Sequence, residues 1–359
     1  MSKLTLESVE WGEFRIKDLF EIETVKGKPI ENYKKGDIPY VSTAATNNAV
    51  INFIEKDKNI LTSAFAITVD PIKGTCFFHD YDFVGRGFSG ASVNVLRNIN
   101  LNKHNGMFIC SSIEKTSKLK ASYGYLFNSN RLKMAVILLP IDSNGNPNWQ
   151  FMEDYIKQEM KVQSSKVASY YENKLVKLGF ELLDYDVEWK EFKVKDIFEF
   201  KKKSSKGLNY LEKSDKGISY LGATNRNNGV LEFVKDDKKL KYKGNCIAFI
   251  RNGEGSMGYA VYKKEDFIAT QDISVGYNDN LNLYTGTFIT TIADRVRGKY
   301  NFGYKRNQNR LENEILHLPI DENDEPHWEY MSQFMKKLEK ENIEKTLNHI
   351  YIYIYIYNG

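Results

Sequence analysis

The sequence predicts an α+β protein made of two copies of one mainly antiparallel β domain, each copy followed by a long amphipathic helix. Three observations predict it: an internal repeat with a period near 180 residues, short apolar and aromatic runs inside each repeat, and a helical stripe after each. EWGEFRIKDLFEI at Glu10–Ile22 returns as EWKEFKVKDIFEF at Glu188–Phe200, so Trp11 and Trp189 lie 178 apart. IPYVSTAATNNAVINFIE from Ile38 returns as ISYLGATNRNNGVLEFVK from Ile218, at an offset of 180. SNRLKMAVILLPIDSNGNPNWQFM returns as QNRLENEILHLPIDENDEPHWEYM, with Trp149 and Trp328 179 apart. This period exceeds the roughly 20–50 residues of solenoid and propeller repeats, so each copy is a domain in its own right. A chain of 359 residues suits two domains of ordinary size.

Within the first copy, IPYVST, AVINFIE, NILTSAFAITV, GTCFFHDYDFV and MAVILLPI are β-branched and aromatic runs punctuated by Gly, Asn, Asp and Pro, which read as strands. KHNGMFICSSIEKTSKL is the best helical stretch. After each Pro–x–Trp the period changes. Met152, Ile156, Met160, Val167, Tyr171, Leu175 and Leu178 recur at steps of four and three, with Gln163 filling one gap, as a single helical stripe closed by Gly179. Met331, Met335, Leu338, Ile343, Leu347 and Ile350 make a shorter, less regular stripe. Pro147 and Pro326 stand where a first helical turn accepts proline. A one-faced helix must bury that face. Its duplicate is the obvious partner, and folding back onto its own domain is the alternative. The expected divisions are a first domain at 1–147, a helix at 148–181, a second domain at 182–326, a helix at 327–350 and a Tyr–Ile tail at 351–359.

Lys and Arg total 51 against 47 Asp and Glu, a net charge of +4. So small an excess excludes little, because binding surfaces come from clustering. Cys76, Cys110 and Cys246 are far apart, with no CxxC and no His at ligand spacing, which argues for a reducing, cytoplasmic setting and against a zinc site or disulfide framework. The opening residues lack the apolar core of a signal peptide. No stretch approaches the roughly 18 apolar residues that span a bilayer, so no membrane partner is expected.

Two β-rich domains of one frame, each followed by a long helix, resemble the specificity subunits of type I restriction–modification systems and the related recognition subunits of fused restriction–methylation enzymes. The resemblance runs from Glu10 to about Ile350. Its pieces are the opening W-x-x-F-x-[IV]-K-D-[IL]-F, the I-x-Y-[VL]…N-N-x-V block, and the [NQ]-x-x-L…LPID-x-x-x-x-P-x-W hinge. None is a catalytic signature. The resemblance implies that each β domain is a target recognition domain reading one half-site of double-stranded DNA. It implies helices paired as an antiparallel coiled coil that spaces the domains and docks methyltransferase subunits, with a restriction or motor subunit as a further partner. S-adenosylmethionine is then held by the methyltransferase, and no cofactor is expected on this chain. The dimensions fit this role, since a helix of about 30 residues is roughly 45 Å long, against 34–36 Å per turn of DNA. Because the loops of the copies have diverged, a target with two different halves and an unread spacer is expected; a single palindromic target would refute that.

Contact with DNA needs cations for phosphates and forked groups for base edges. KYNFGYKRNQNR supplies Lys299, Lys305, Arg306 and Arg310 with no acid among them, and Asn307, Gln308 and Asn309 have the geometry that suits adenine. The matching stretch of the first copy carries Lys118, Lys120, Asn128, Asn130 and Arg131; Tyr123, Tyr125, Phe302 and Tyr304 interleave with these groups. A solvated loop beside a strand is the plain alternative. Asn47–Asn48 and Asn225–Arg226–Asn227–Asn228 are weaker signals, since Asn forms turns routinely. Arg226 stands apart as a forked cation absent from the first copy. Arg251, in Arg251–Asn252–Gly253, and the run Lys201, Lys202, Lys203 and Lys206 complete the candidates, the run as a flexible phosphate clamp or as mere solvated surface.

Phe83–Val–Gly85–Arg–Gly87–Phe–Ser–Gly90 matches both F-x-G-x-G and G-x-G-x-x-G. A cofactor turn needs a helix next, whereas ASVNVLRNIN follows, and the aligned Phe267–Gln271 has no glycine. These glycines are expected to permit positive φ or close backbone approach. No N-P-P-Y-type motif, paired-acid nuclease cluster or histidine with a nucleophile partner is evident. The chain is expected to recognise DNA without catalysing; a nuclease with an unrecognised site, or a stand-alone DNA-binding protein, are the alternatives. The alternation Tyr351–Tyr357 reads as an exposed strand or as translated simple-sequence DNA, and deletion of Tyr351–Gly359 is expected to leave DNA binding intact.

Overall fold

The computed structural model describes residues 3–88, 92–118, 126–178, 186–253, 255–301 and 303–356. The chain forms two compact units, one running to Ala168 and resuming at Ile352, the other comprising Ser169–Tyr351, so the division falls inside both long helices. Among the described residues no helix is long and apolar enough to cross a membrane.

The first copy contains β1 (Trp11–Arg15), α1 (Ile16–Leu19), β2 (Glu21–Thr24), β3 (Lys35–Val41), β4 (Val50–Ile54), β5 (Ala66–Val69), β6 (Cys76–His79), β7 (Val84–Gly85), β8 (Asn94–Arg97), α2 (Lys103–Ser117), α3 (Ser129–Met134), β9 (Val136–Pro140) and α4 (Trp149–Leu178). The second repeats this order with one added strand, β14, as β10 (Trp189–Lys193), α5 (Val194–Ile197), β11 (Glu199–Lys201), β12 (Lys213–Leu221), β13 (Val230–Val234), β14 (Lys241–Tyr242), β15 (Cys246–Ile250), β16 (Ala260–Lys263), β17 (Phe267–Ala269), β18 (Ile273–Tyr277), α6 (Leu283–Ala293), α7 (Gln308–Glu312), β19 (Ile315–Pro319) and α8 (Trp328–Ile356).

Among the described residues each copy has three small sheets. β1 pairs with β9 and β10 with β19, so each opening Trp strand lies beside the strand that leads to the long helix. The main sheets are β2-β8-β5-β6 and β11-β18-β15-β16, antiparallel throughout. Their central strands β5 and β15 are buried along their whole length, which is why neither AITV nor CIAFI carries a charged residue. The third sheets are β4-β3-β7 and β13-β12-β17-β14, in which β3–β7 and β12–β17 are the parallel pairs.

Asn102 caps α2 and Asn282 caps α6, each accepting two backbone N–H groups. The core of the first copy packs Ile109 and Ile113 of α2 with Ile16, Ile67, Leu96, Leu132 and Leu139, and it also takes in Met152 from the first turn of α4. Met331 does the same from α8 in the second copy. Both methionines are 0% exposed; burying each one fastens its helix to its own domain by roughly 2 kcal/mol.

Beyond those roots the helices pair. Within the second unit Lys174 forms a 2.5 Å ion pair with Glu339, and the Tyr351 hydroxyl meets Glu172, so α4 and α8 run antiparallel there. Within the first unit the Tyr353 hydroxyl donates to Met160 Sδ. Several details differ from expectation. Val167 is 41% exposed while Ala168 is 5% exposed, so the buried stripe passes one residue later. Leu338 is 37% exposed, whereas Ile343 and Leu347 are buried; Ile156, Met160, Tyr171, Leu175 and Met335 are half-buried and Leu178 is buried. Pro147 and Pro326 precede the helices and bridge to Ile141 and Ile320. Asn148 and His327 are the caps, accepting the Phe151 and Tyr330 amides. Gly179 lies outside the described residues. The Tyr–Ile alternation forms no strand among the described residues: α8 continues through it to Ile356. Extending an existing helix adds a hydrogen bond for each residue ordered and needs no new nucleus, which outweighs the β preference of Tyr and Ile.

Candidate nucleic-acid interface

The Asn-rich turn has one shape in both copies. Asn47, Asn48 and Ala49 have φ of 53°, 51° and 59°, and Asn227, Asn228 and Gly229 have φ of 49°, 52° and 76°. Left-handed backbone is costly for most side-chain-bearing residues, and Asn tolerates it best. The turns close through Ser42 N–H to Ala49 C=O at 2.9 Å and Gly222 N–H to Gly229 C=O at 3.0 Å. A shared backbone therefore accounts for the recurring Asn pairs, which are also exposed. Immediately before them the copies part: Thr46 in the first and Arg226 in the second, both extended and exposed. In the second copy this loop is tied down by Asn225 Nδ2 to Gly255 C=O at 3.2 Å and Ser256 Oγ to Ala223 C=O at 2.9 Å. Arg226 thus stands on a fixed support.

The basic stretch before β9 and β19 is more structural than its composition suggests. Asn128 and Asn307 cap α3 and α7, accepting the amides of Arg131 and Arg310 at 3.1 and 2.8 Å. Arg131 and Arg310 fold back onto the carbonyls of Leu126 and Lys305, and the Arg310 guanidinium lies 3.8 Å from the Tyr304 ring centroid. Gln308 accepts from Ser274 at 2.6 Å and donates to Glu312 at 2.8 Å, so its amide is committed. Lys305, Asn130 and Asn309 remain exposed or half-exposed at the surface. Lys118 pairs with Glu114 at 2.5 Å, and Lys120, Tyr123, Tyr125 and Phe302 lie outside the described residues.

Arg306 requires a correction. It is 1% exposed, and so cannot face DNA. Its Nε and Nη2 donate to Glu314 at 2.7 and 2.5 Å, and Nη1 donates to the carbonyls of Ile250 and Tyr259. The Tyr300 hydroxyl donates to the same carboxylate at 2.5 Å. The acid is eight residues on, beyond the stretch whose charge suggested a phosphate contact. In the first copy the matching positions hold Phe127 and Ala135, both buried and apolar.

Lys202, Lys203, Arg251 and Gln308, from three separate segments, come together on a cleft of about 730 Å3 in the second copy. Lys201–Ser205 form one wall and Thr270–Val275 the other. Arg251 Nη2 donates to the Gln271 carbonyl at 2.5 Å, and the Lys203 amide donates to the Tyr242 hydroxyl at 2.9 Å. The same place in the first copy is closed. There Gly27 N–H donates to Gly85 C=O at 3.1 Å and Gly87 N–H to Gly27 C=O at 2.9 Å, with Val25 buried beneath. A Cβ on Gly85 would stand 2.7 Å from Val25 Cγ1, and one on Gly87 would strike the Val25 carbonyl oxygen. The second copy has Ala269 and Gln271 at these positions. The F-x-G-x-G pattern therefore serves close backbone approach, one of its two expected uses, and no glycine in it has positive φ among the described residues. Reading it as a glycine motif hid Arg86, which stands where the second copy has Thr270; its guanidinium lies 4.3 Å from the Phe88 ring centroid.

Among the described residues no three His, Cys, Asp or Glu side chains are grouped to hold a metal. His79, fully buried, is held by Thr68 and Tyr81 at 2.8 and 3.1 Å, and burial pushes it down to about 4. The surfaces that differ between the copies are loops on a shared frame, which is the build of a duplicated recognition protein. The family model of the type I restriction modification DNA specificity domain matches the chain twice, over residues 8–167 and 186–349. The chain belongs to this family, as a non-catalytic specificity subunit with two recognition domains. It is 28% identical over 353 residues to the type II restriction enzyme BgcI specificity subunit S.BcgI of Heyndrickxia coagulans, covering 94% of this chain and 97% of that one. Its fold is similar to that of the type I restriction–modification S subunit from M. genitalium, with a TM-score of 0.54 at 15% identity, covering 99% and 98% of the two chains.

Proposed function

We propose that each copy reads one half of a bipartite, asymmetric double-stranded DNA site, and that the α4–α8 pair docks methyltransferase subunits, with a restriction or motor subunit joining them. Methyl transfer then uses S-adenosylmethionine held by the partner. The observation that carries this reading is the contrast within the duplicate: one frame down to its strained turns, with loops that differ where the frame leaves them exposed. Thr46 corresponds to Arg226, and a closed segment corresponds to a basic cleft. Two sites of the same build but different side chains suit two half-sites of different sequence.

Modification mapping of DNA from cells with and without the gene tests the proposal. Loss of methylation at one two-part, non-palindromic motif on deletion is the expected result. No change at any motif, with DNA cut or bound by the purified chain alone, would refute it in favour of a nuclease or a self-sufficient binder.

A further inference from the structure

The cleft of the second copy gathers Lys202, Lys203 and Arg251, whereas the matching segments of the first copy carry Lys26 and Arg86 around a closed contact. Lys202 and Lys203 are exposed, and Arg251 reaches the opposite wall. The corresponding first-copy residues, two and three places after Ile22 as Lys202 and Lys203 are after the matched Phe200, are Thr24 and Val25, neither of them charged. Lys201 is engaged over the Tyr277 ring at 5.1 Å. Asp272 is the acid in the lining, and its Oδ1 accepts from Asn252 Nδ2 at 3.2 Å. Ser204 and Ser205 add hydroxyl donors to the same wall. The walls part where β11 ends at Lys201, paired with Val275. Among the described residues no backbone hydrogen bond joins them beyond that point in the way that Gly27 is joined to Gly85 and Gly87 in the first copy.

We infer that this cleft is a phosphodiester-binding site, present in the second copy and closed off in the first, which grips the DNA backbone beside the second half-site. The inference rests on the DNA-reading proposal and adds a division of labour to it. Lysine ammonium groups and serine hydroxyls are the usual partners of phosphate oxygens and carry no sequence information. Their role is to fix register, so the two copies hold the duplex with unequal strength. The first copy reaches the backbone from a surface stiffened by Val25 and the glycine contacts. The second does so from an open loop whose cations converge across a cleft.

The test uses the full chain in its complex with its methyltransferase and the cognate duplex, comparing wild type with Lys202→Gln/Lys203→Gln. The dissociation constant is measured between 50 and 200 mM salt. Each phosphate that the variant no longer neutralises should flatten the slope of log K against log salt by about 0.9, so a drop of about 1 to 2 is expected. Phosphate ethylation interference should disappear beside the second half-site and persist beside the first. An unchanged slope, or interference lost equally at both halves, overturns the inference. Inorganic phosphate bound by wild type but not by the variant, with the DNA slope unchanged, would make the cleft a site for a free anion and also overturns it. Should the double variant melt below wild type, Gln271→Glu adds a negative charge to the cleft wall while keeping both lysines, and must weaken binding at the second half-site. A wild-type complex with no bipartite preference would instead remove the DNA-reading proposal itself.

Discussion

Replacing Glu314 by Ala isolates the energetics of the buried Arg306 network. The pair is sealed, with side chains 0% and 1% exposed, and three donors converge on one carboxylate. Removing only the acid leaves a buried guanidinium without its paired carboxylate and the Tyr300 hydroxyl without its acceptor. Breaking one side of a buried pair costs about 3–5 kcal/mol. For a unit of this size that is a fall of roughly 10 °C in the melting transition of the second copy. The first copy shows what the frame accepts in place of the pair, since Phe127 and Ala135 occupy the matching sites. Arg306→Phe/Glu314→Ala should therefore recover most of the loss, ending within about 1–2 kcal/mol of wild type, the remainder being the unpaired Tyr300 hydroxyl and two carbonyls. Urea denaturation of wild type, both single variants and the double variant gives the coupling directly. A double variant no more stable than Glu314→Ala, or a Glu314→Ala cost below about 1 kcal/mol, would show that the ion pair is not what organises this core.

The depressed His79 gives a pH dependence of known sign. Its folded value is about 4 against an ordinary 6.5, so between these values the unfolded chain binds the extra proton; stability is full above about pH 6.5 and falls by up to roughly 3 kcal/mol as pH drops toward 4. His79→Gln should flatten that slope in urea midpoints taken at pH 7 and 4.5, and equal slopes would exclude His79 as the cause. Asn307→Ala removes a helix cap and should cost about 1 kcal/mol in the same assay, with no change in the sequences selected from a randomised duplex pool; a shift in those sequences would return Asn307 to the reading surface. Arg226→Thr, which installs the residue of the first copy on the same turn, should relax one base pair of the second half-site by about 1–3 kcal/mol of discrimination. A uniform loss across all sequences would assign Arg226 to the phosphates.

The duplication, the strands β3, β4, β5, β6 and β9 and both long helices were legible because they rest on apolar periodicity and on the recurrence of Trp and Pro–x–Trp positions. Helix α2 was legible from KHNGMFICSSIEKTSKL, and it spans Lys103–Ser117. The short strands β1, β2 and β8 were not, since the runs that form them are brief and interrupted by charge. The stripe of α4 takes in Ala168 and leaves Val167 exposed, a shift of one residue that apolar periodicity alone does not give, because alanine weighs little in such a pattern. Candidate contacts were harder. Asn128, Asn307 and Gln308 have the side chains that bind adenine and also those that cap helices, and their partners one turn away decide between the two uses. Arg306 misled because its countercharge lies outside the window in which charge was counted. The cleft was invisible because it arises from a subtraction: where the first copy has Gly85 and Gly87 the second has Ala269 and Gln271, and among the described residues no backbone hydrogen bond ties 202–205 to that wall.

The polar pair Asn94–Ser129 of the first copy and Ser274–Gln308 of the second make the same contact with the long and short partners exchanged. Phe127–Ala135 and Arg306–Glu314 are likewise alternative solutions of one site. Each copy therefore carries a matched set whose members are meaningless singly. A genetic crossover between the copies that fell between these positions would join Asn94 to Gln308, or strand Arg306 beside alanine, and the hybrid would be selected against for stability before its binding was ever tried. Crossovers at the ends of the long helices would carry whole sets across intact. The fold thus confines viable exchange to its seams, and new combinations of recognition domains can be inherited only as complete copies.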